Sequence, residues 1–138
     1  MTFCKKIVTQ TRYVTVDLVV KGNHSTEKIS AFLDARDYYV QRHEWDDDNK
    51  WYLNISCPCD FENADQCIDQ YCADLEELTD HAKAEWDQAS FREFSVGYHV
   101  AGEPSCFENH LSEKTIRRVT NLRAGIGIAL YPHPEDDE

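Results

Sequence analysis

The chain has 138 residues, 41% of them hydrophobic and 12% aromatic, with five Gly, four Pro and a formal net charge of −12. That length fits one domain, residues 1–138, able to bury a core without staples, and the composition excludes a disordered or low-complexity chain. The acidity excludes the usual nucleic-acid binder, whose surface must attract phosphates rather than repel them.

Taken in chain order, Val14, Val16, Leu18 and Val20 alternate with Thr15, Asp17 and Val19, the period of two that predicts a strand with one buried face. Ser25 can cap a short helix running to about Arg36, with Ile29, Phe32 and Leu33 as its apolar stripe. Residues Tyr38 to Trp45 and Lys50 to Cys57 predict a hairpin, joined by the Asp46-Asp47-Asp48-Asn49 turn. Trp51, Leu53, Ile55 and Cys57 share one face of its second arm. Asn63 followed by Gln66 is a capping-box variant that opens one long helix, extending to about Ser90. At about 100° per residue its apolar positions fall in one band, including Trp86, and Asp65, Asp69, Glu76, Asp80 and Asp87 form a stripe along one flank.

Phe94, Val96, Tyr98 and Val100 predict a further strand, ended by Gly102 and Pro104. Ser112, between Leu111 and Ile116, is the N-cap of a last helix that Gly125 stops; Ile126, Ile128 and Leu130 then alternate in a final strand, and residues 134–138 form a solvated acidic tail. The order is βαββαβαβ. Clean alternation points to an α+β fold of two layers, a largely antiparallel sheet with helices on one face.

Charge is not spread evenly over these elements. Between Glu44 and Asp87 stand fourteen carboxylates against two bases, Lys50 and Lys83, whereas the other ninety-four residues carry twelve acids and twelve bases. The whole net charge therefore lies in one segment. Its simplest reading is a solvated face; its sharper reading is a docking surface, since concentrated charge steers an oppositely charged partner into contact. Asp46, Asp47 and Asp48 at the hairpin turn with Asp69, Glu76, Asp80 and Asp87 on the helix would meet the basic surface, and Trp45, beside the turn, would supply an apolar anchor.

No apolar run follows Lys5 and Lys6, and none reaches the eighteen residues of a membrane span, so the expectation is a soluble, cytoplasmic protein without membrane contact. Its six cysteines then read as reduced thiols. Cys57, Cys59, Cys67 and Cys72 are the candidates for a metal-binding or redox module, but their spacing is not that of two zinc knuckles. No G-x-S-x-G, Gly-rich phosphate loop or H-E-x-x-H is present, so neither an enzyme nor a cofactor is expected.

The order of elements, the Trp51-Tyr52-Leu53-Asn54-Ile55 strand ahead of the long helix, and the stretch from Phe94 to Tyr131 with its Ala129-Leu130-Tyr131-Pro132 ending resemble a family of small bacterial α+β domains. That family includes predicted immunity proteins. The resemblance covers about Arg12 to Pro132 and implies a toxin-neutralising role, such as the immunity partner of a contact-dependent growth inhibition toxin. The partner expected is a basic toxin, a nuclease whose Lys- and Arg-lined active site an acidic surface would cover; the alternative partner is a DNA-binding protein, deceived by a mimic of nucleic-acid charge.

Overall fold

The computed structural model describes residues 11–45, 50–101 and 106–132, apart from the side chains of Glu44 and Trp45. The elements are β1 (Arg12–Gly22), α1 (Glu27–Asp34), β2 (Tyr39–Trp45), β3 (Lys50–Ser56), α2 (Ala64–Leu75), α3 (Asp80–Gln88), β4 (Phe91–Val100), α4 (Glu113–Asn121) and β5 (Gly125–Pro132). The five strands form one sheet in the order β2-β3-β1-β4-β5. Every neighbouring pair is antiparallel except β4 and β5, which run parallel. Parallel neighbours need a crossover, and α4 supplies it.

The fold is the expected α+β arrangement, with an inner sheet face of Val16, Leu18, Val20, Leu53, Ile55, Phe94 and Val96, all fully buried or nearly so. Against it pack Ile29 and Leu33 from α1, Ile68, Tyr71 and Leu75 from α2, Trp86 from α3 and Val119 from α4. Tyr71 also ties this layer to the sheet: its hydroxyl donates to the carbonyls of Val16 (2.9 Å) and Ile55 (3.1 Å), at the point where β1 and β3 stop pairing. No helix among the described residues is long and apolar enough to cross a membrane.

The caps at Asn63 and Ser112 form as predicted, accepting the amides of Gln66 (2.9 Å) and Thr115 (3.1 Å). The single long helix does not. It divides at Glu76–Thr79, because Thr79 takes an extended conformation and its hydroxyl accepts the amide of Ala82 (3.4 Å), opening α3 as a separate helix. Helix α4 ends through Arg123, in a left-handed conformation at φ 60°, rather than at Gly125, which already belongs to β5. Trp51, on the face that it shares with the fully buried Leu53 and Ile55, is itself only half-buried. The turn 46–49, the start of the loop at Gly102 and Pro104, and the tail 134–138 lie outside the described residues.

Helix α1 begins at Thr26 without any side-chain cap from its own sequence neighbourhood beyond the Ser25 hydroxyl, which accepts the amide of Glu27 (3.2 Å). Its next two free amides, Lys28 and Ile29, donate to one oxygen of Glu85 on α3, at 2.8 and 3.0 Å. A carboxylate there satisfies orphan donors and complements the helix dipole. Replacing it by alanine is expected to lower stability by about 1 kcal/mol, and Glu85→Gln, which keeps the acceptor without the charge, by less. Urea unfolding of both variants checks the order.

Candidate interaction surface

Seven of the fourteen carboxylates between Glu44 and Asp87 are engaged among the described residues, and most of their partners are remote in sequence. Glu85 caps α1, and Asp65 accepts the amide of Ser112 (2.7 Å) at the start of α4. Arg118 of α4 spans Asp69 (2.6 Å) and holds Glu76 through two parallel contacts at 2.6 and 2.8 Å. Arg36, after α1, reaches Asp74 (3.0 Å) and Glu77 (2.8 Å). Lys83 pairs with Asp87 at 3.3 Å, one turn along α3.

These pairings shift the protonation equilibria. The bidentate hydrogen bonds from Arg118 hold the Glu76 carboxyl below its usual range, against the opposing effect of partial burial. Burial pushes the Asp74 carboxyl up, but the donors Tyr38, Gln70 and Arg36 outweigh it and the net direction is down. Desolvation and that neighbouring carboxylate both push the Tyr38 phenol up.

The predicted stripe is therefore broken into separate parts. Asp69 and Glu76 face α4 and form a cluster with Arg118; Asp80 and Asp87 lie two turns apart on the exposed side of α3. Asp80 has no ion pair among the described residues. The hairpin and α3 do converge at one end of the sheet. Trp45 pairs with Lys50 at the end of the hairpin, Trp51 pairs with Gly22, and Lys21 pairs with Phe91 directly after α3. Gly22 permits the close approach, since a Cβ there would stand 3.2 Å from the Ala89 Cα. Asp46, Asp47 and Asp48 and the side chain of Trp45 lie outside the described residues. The same end carries two cations, Lys50 and Lys21, the latter lying 4.8 Å from the Phe91 ring centroid, so it is mixed in sign rather than purely acidic.

At the opposite end of the hairpin is a pocket of about 520 Å³ lined by Arg36, Tyr38, Cys57, Pro58, Cys59, Phe61, Gln70 and Asp74. Tyr38 donates to Asp74 (2.5 Å) across its floor and stacks on Tyr71 with ring centroids 5.2 Å apart. Cys57 and Cys59 reach this pocket, and Cys67 is buried in the core. Cys72 faces elsewhere, near Arg118, and burial pushes its thiol up to about 12. The four cysteines considered as a metal module are thus not assembled, and no group of three or more His, Cys, Asp or Glu side chains among the described residues is placed to hold a metal ion.

Arg36, Arg118 and Glu85 carry most of this arrangement without a local sequence signature. Their partners lie 38, 42, 49 and 57 residues away, beyond any helical or strand period. Comparison of the chain with family models, curated proteins and solved structures finds no match.

Proposed function

We propose that this protein binds a basic protein partner through its acidic side, and that the partner is a toxin, a nuclease, whose active site the bound protein covers. The observation that carries this reading is that folding does not cancel the charge. Arg36 and Arg118 each hold two carboxylates, so each cluster keeps one negative charge, while Asp80 adds another with no ion pair among the described residues. Carboxylates already oriented by a neighbouring guanidinium lose little freedom on meeting Lys or Arg from a partner. In this reading the acids nearest contact are Asp80 and Asp87 on α3 with Asp46, Asp47 and Asp48 at the hairpin turn, and Trp45 beside them is the apolar anchor. Asp69 and Glu76 take a supporting role, because Arg118 already engages them. No catalysis or cofactor is involved.

Capture of interacting proteins from the source cells, repeated at low and high salt, tests the reading. A single basic protein should be recovered, with binding that weakens as salt rises. Asp80→Lys combined with Asp87→Lys should lower the association rate about tenfold and flatten its salt dependence, with a smaller change in dissociation. Positions 80 and 87 are exposed, so the folded state should survive both changes. An association rate that ignores both the substitutions and the salt would overturn the proposal.

A further inference from the structure

We propose that β5 is a dimerisation edge, at which the strand pairs antiparallel with β5 of a second copy of this chain and the two five-stranded sheets join into one of ten strands. The inference starts from the difference between the two edges of the sheet. At one edge β2 carries Arg42, His43 and Glu44 within seven residues, and Arg42, directly opposite Leu53, puts a charge on the inner face. Such charges guard an edge against pairing. At the other edge β5 has no charge and no proline over residues 125–131, yet it exposes Ile128 (69%) and Leu130 (64%). Its open side is an unguarded row of backbone donors and acceptors.

These exposed side chains belong to the core face. Ile128 and Leu130 stand directly opposite Val96 and Tyr98, which are 2% and 7% exposed, so they continue the buried layer one strand beyond the cover of the helices. Ile116 of α4, 40% exposed, borders them. At about 100° per residue it lies roughly 160° around α4 from Arg118. Arg118 faces α2, which packs over β1, so the flank that carries Ile116 is the one toward β5. Each copy therefore has an apolar shelf between α4 and the sheet edge. A two-fold axis normal to the sheet sets two shelves face to face with both helix layers on the same side, and Ile116, Ile128 and Leu130 of each copy cover those of the other.

Charge favours a second copy over the basic partner. β5 holds no carboxylate to draw a cation, and at its start stand Arg123 and the guanidinium of Arg92, which donates to the Arg123 carbonyl at 3.0 Å. Past the other end of β5 the sequence runs into Glu135, Asp136, Asp137 and Glu138. Antiparallel pairing brings the end of one strand beside the start of the other, so charges of opposite sign flank both ends of the seam. The β2–β3 hairpins, where the acidic segment begins, stand at the outer edges of the joined sheet, roughly 40 Å apart and well beyond the screening length. The net charge thus opposes contact at β5 only weakly.

Sedimentation of the full chain should show a dimer whose fraction rises with concentration. Ile128→Lys and Leu130→Lys each place two ammonium groups against the apolar seam and should weaken association at least tenfold. Both positions are exposed in the single chain, so the circular dichroism of the variants should match the parent. Hydrogen exchange reads strand pairing itself: β5 amides directed away from β4 should exchange slowly in the dimer and rapidly in either variant. Asp80→Lys with Asp87→Lys should leave the dimer intact and Leu130→Lys should still capture a basic partner, so this proposal and the reading of the acidic side fail independently. Three results would overturn it: a parent chain that stays monomeric at about 1 mM, a dimer that both lysine variants leave intact, or loss of the basic partner in Leu130→Lys, which assigns the edge to that partner.

Discussion

Trp86→Ala is expected to be the most damaging single substitution in this protein, lowering stability by about 3 to 5 kcal/mol. Trp86 is 1% exposed and is the largest fully buried side chain. Its indole nitrogen donates to the Leu122 carbonyl at 2.8 Å, joining α3 to the end of α4 thirty-six residues away. Arg92, whose guanidinium lies 5.9 Å from the ring centroid, donates to the carbonyls of Trp86 (2.9 Å) and Ala89 (2.7 Å) and closes the end of the same helix. Alanine would therefore open a cavity and leave a buried carbonyl unsatisfied at once. Trp86→Phe separates the two effects, keeping most of the volume while losing the hydrogen bond, and should cost about 1 to 2 kcal/mol. Equilibrium unfolding in urea measures both; an alanine variant within 1 kcal/mol of the parent would contradict the packing described.

Asp74→Ala comes next, with an expected loss of about 2 to 3 kcal/mol. One carboxylate accepts from the Tyr38 hydroxyl, the Gln70 amide (3.1 Å) and the Arg36 guanidinium, and only 17% of its side chain is exposed. Removing it leaves the hydroxyl of Tyr38, a residue only 3% exposed, without its acceptor at the pocket wall. The loss should depend on pH. Because the Asp74 carboxyl titrates lower in the folded chain than its usual value of about 3.9, the folded state favours the ionised form. Its contribution is complete above the unfolded value and disappears as pH falls through the folded one. The stability gap between parent and variant should accordingly be constant near neutrality and narrow below about pH 4. Glu76, shifted in the same direction, adds to acid sensitivity in that window.

Asp17 has the opposite sign. Burial raises its carboxyl above the usual range, with the Ser56 hydroxyl bond (3.2 Å) only partly offsetting it. The ionised form is thus less favoured in the folded chain than in the unfolded one, and this contribution works against stability at neutral pH and vanishes in acid.

What the sequence determined by itself is local. Alternation placed the side chains of β3, β4 and most of β1 on opposite sheet faces, because successive residues of an extended chain point in opposite directions whatever lies beyond them. It did not find a buried face on the edge strand β5, where Ile128 and Leu130 stay 69% and 64% exposed, nor at Val14, which is exposed where the β1–β4 register shifts. Asn63 and Ser112 marked two helix starts because an N-cap bond spans three residues. Thr79 was a signal of the same kind, masked by an apolar period that continues from Leu75 and Leu78 to Ala82 and Trp86 through the break. The tertiary structure alone decided the strand order, the parallel β5, and which acids face outward. Asp69 and Glu76 read as members of one stripe until α4 brings Arg118 against them, and Asp74, outside that stripe, meets Arg36 from the end of α1. A charge pattern along a helix states where carboxylates point relative to that helix. Whether a cation meets them depends on chain segments some forty residues away, which only packing on a common sheet brings within hydrogen-bond distance.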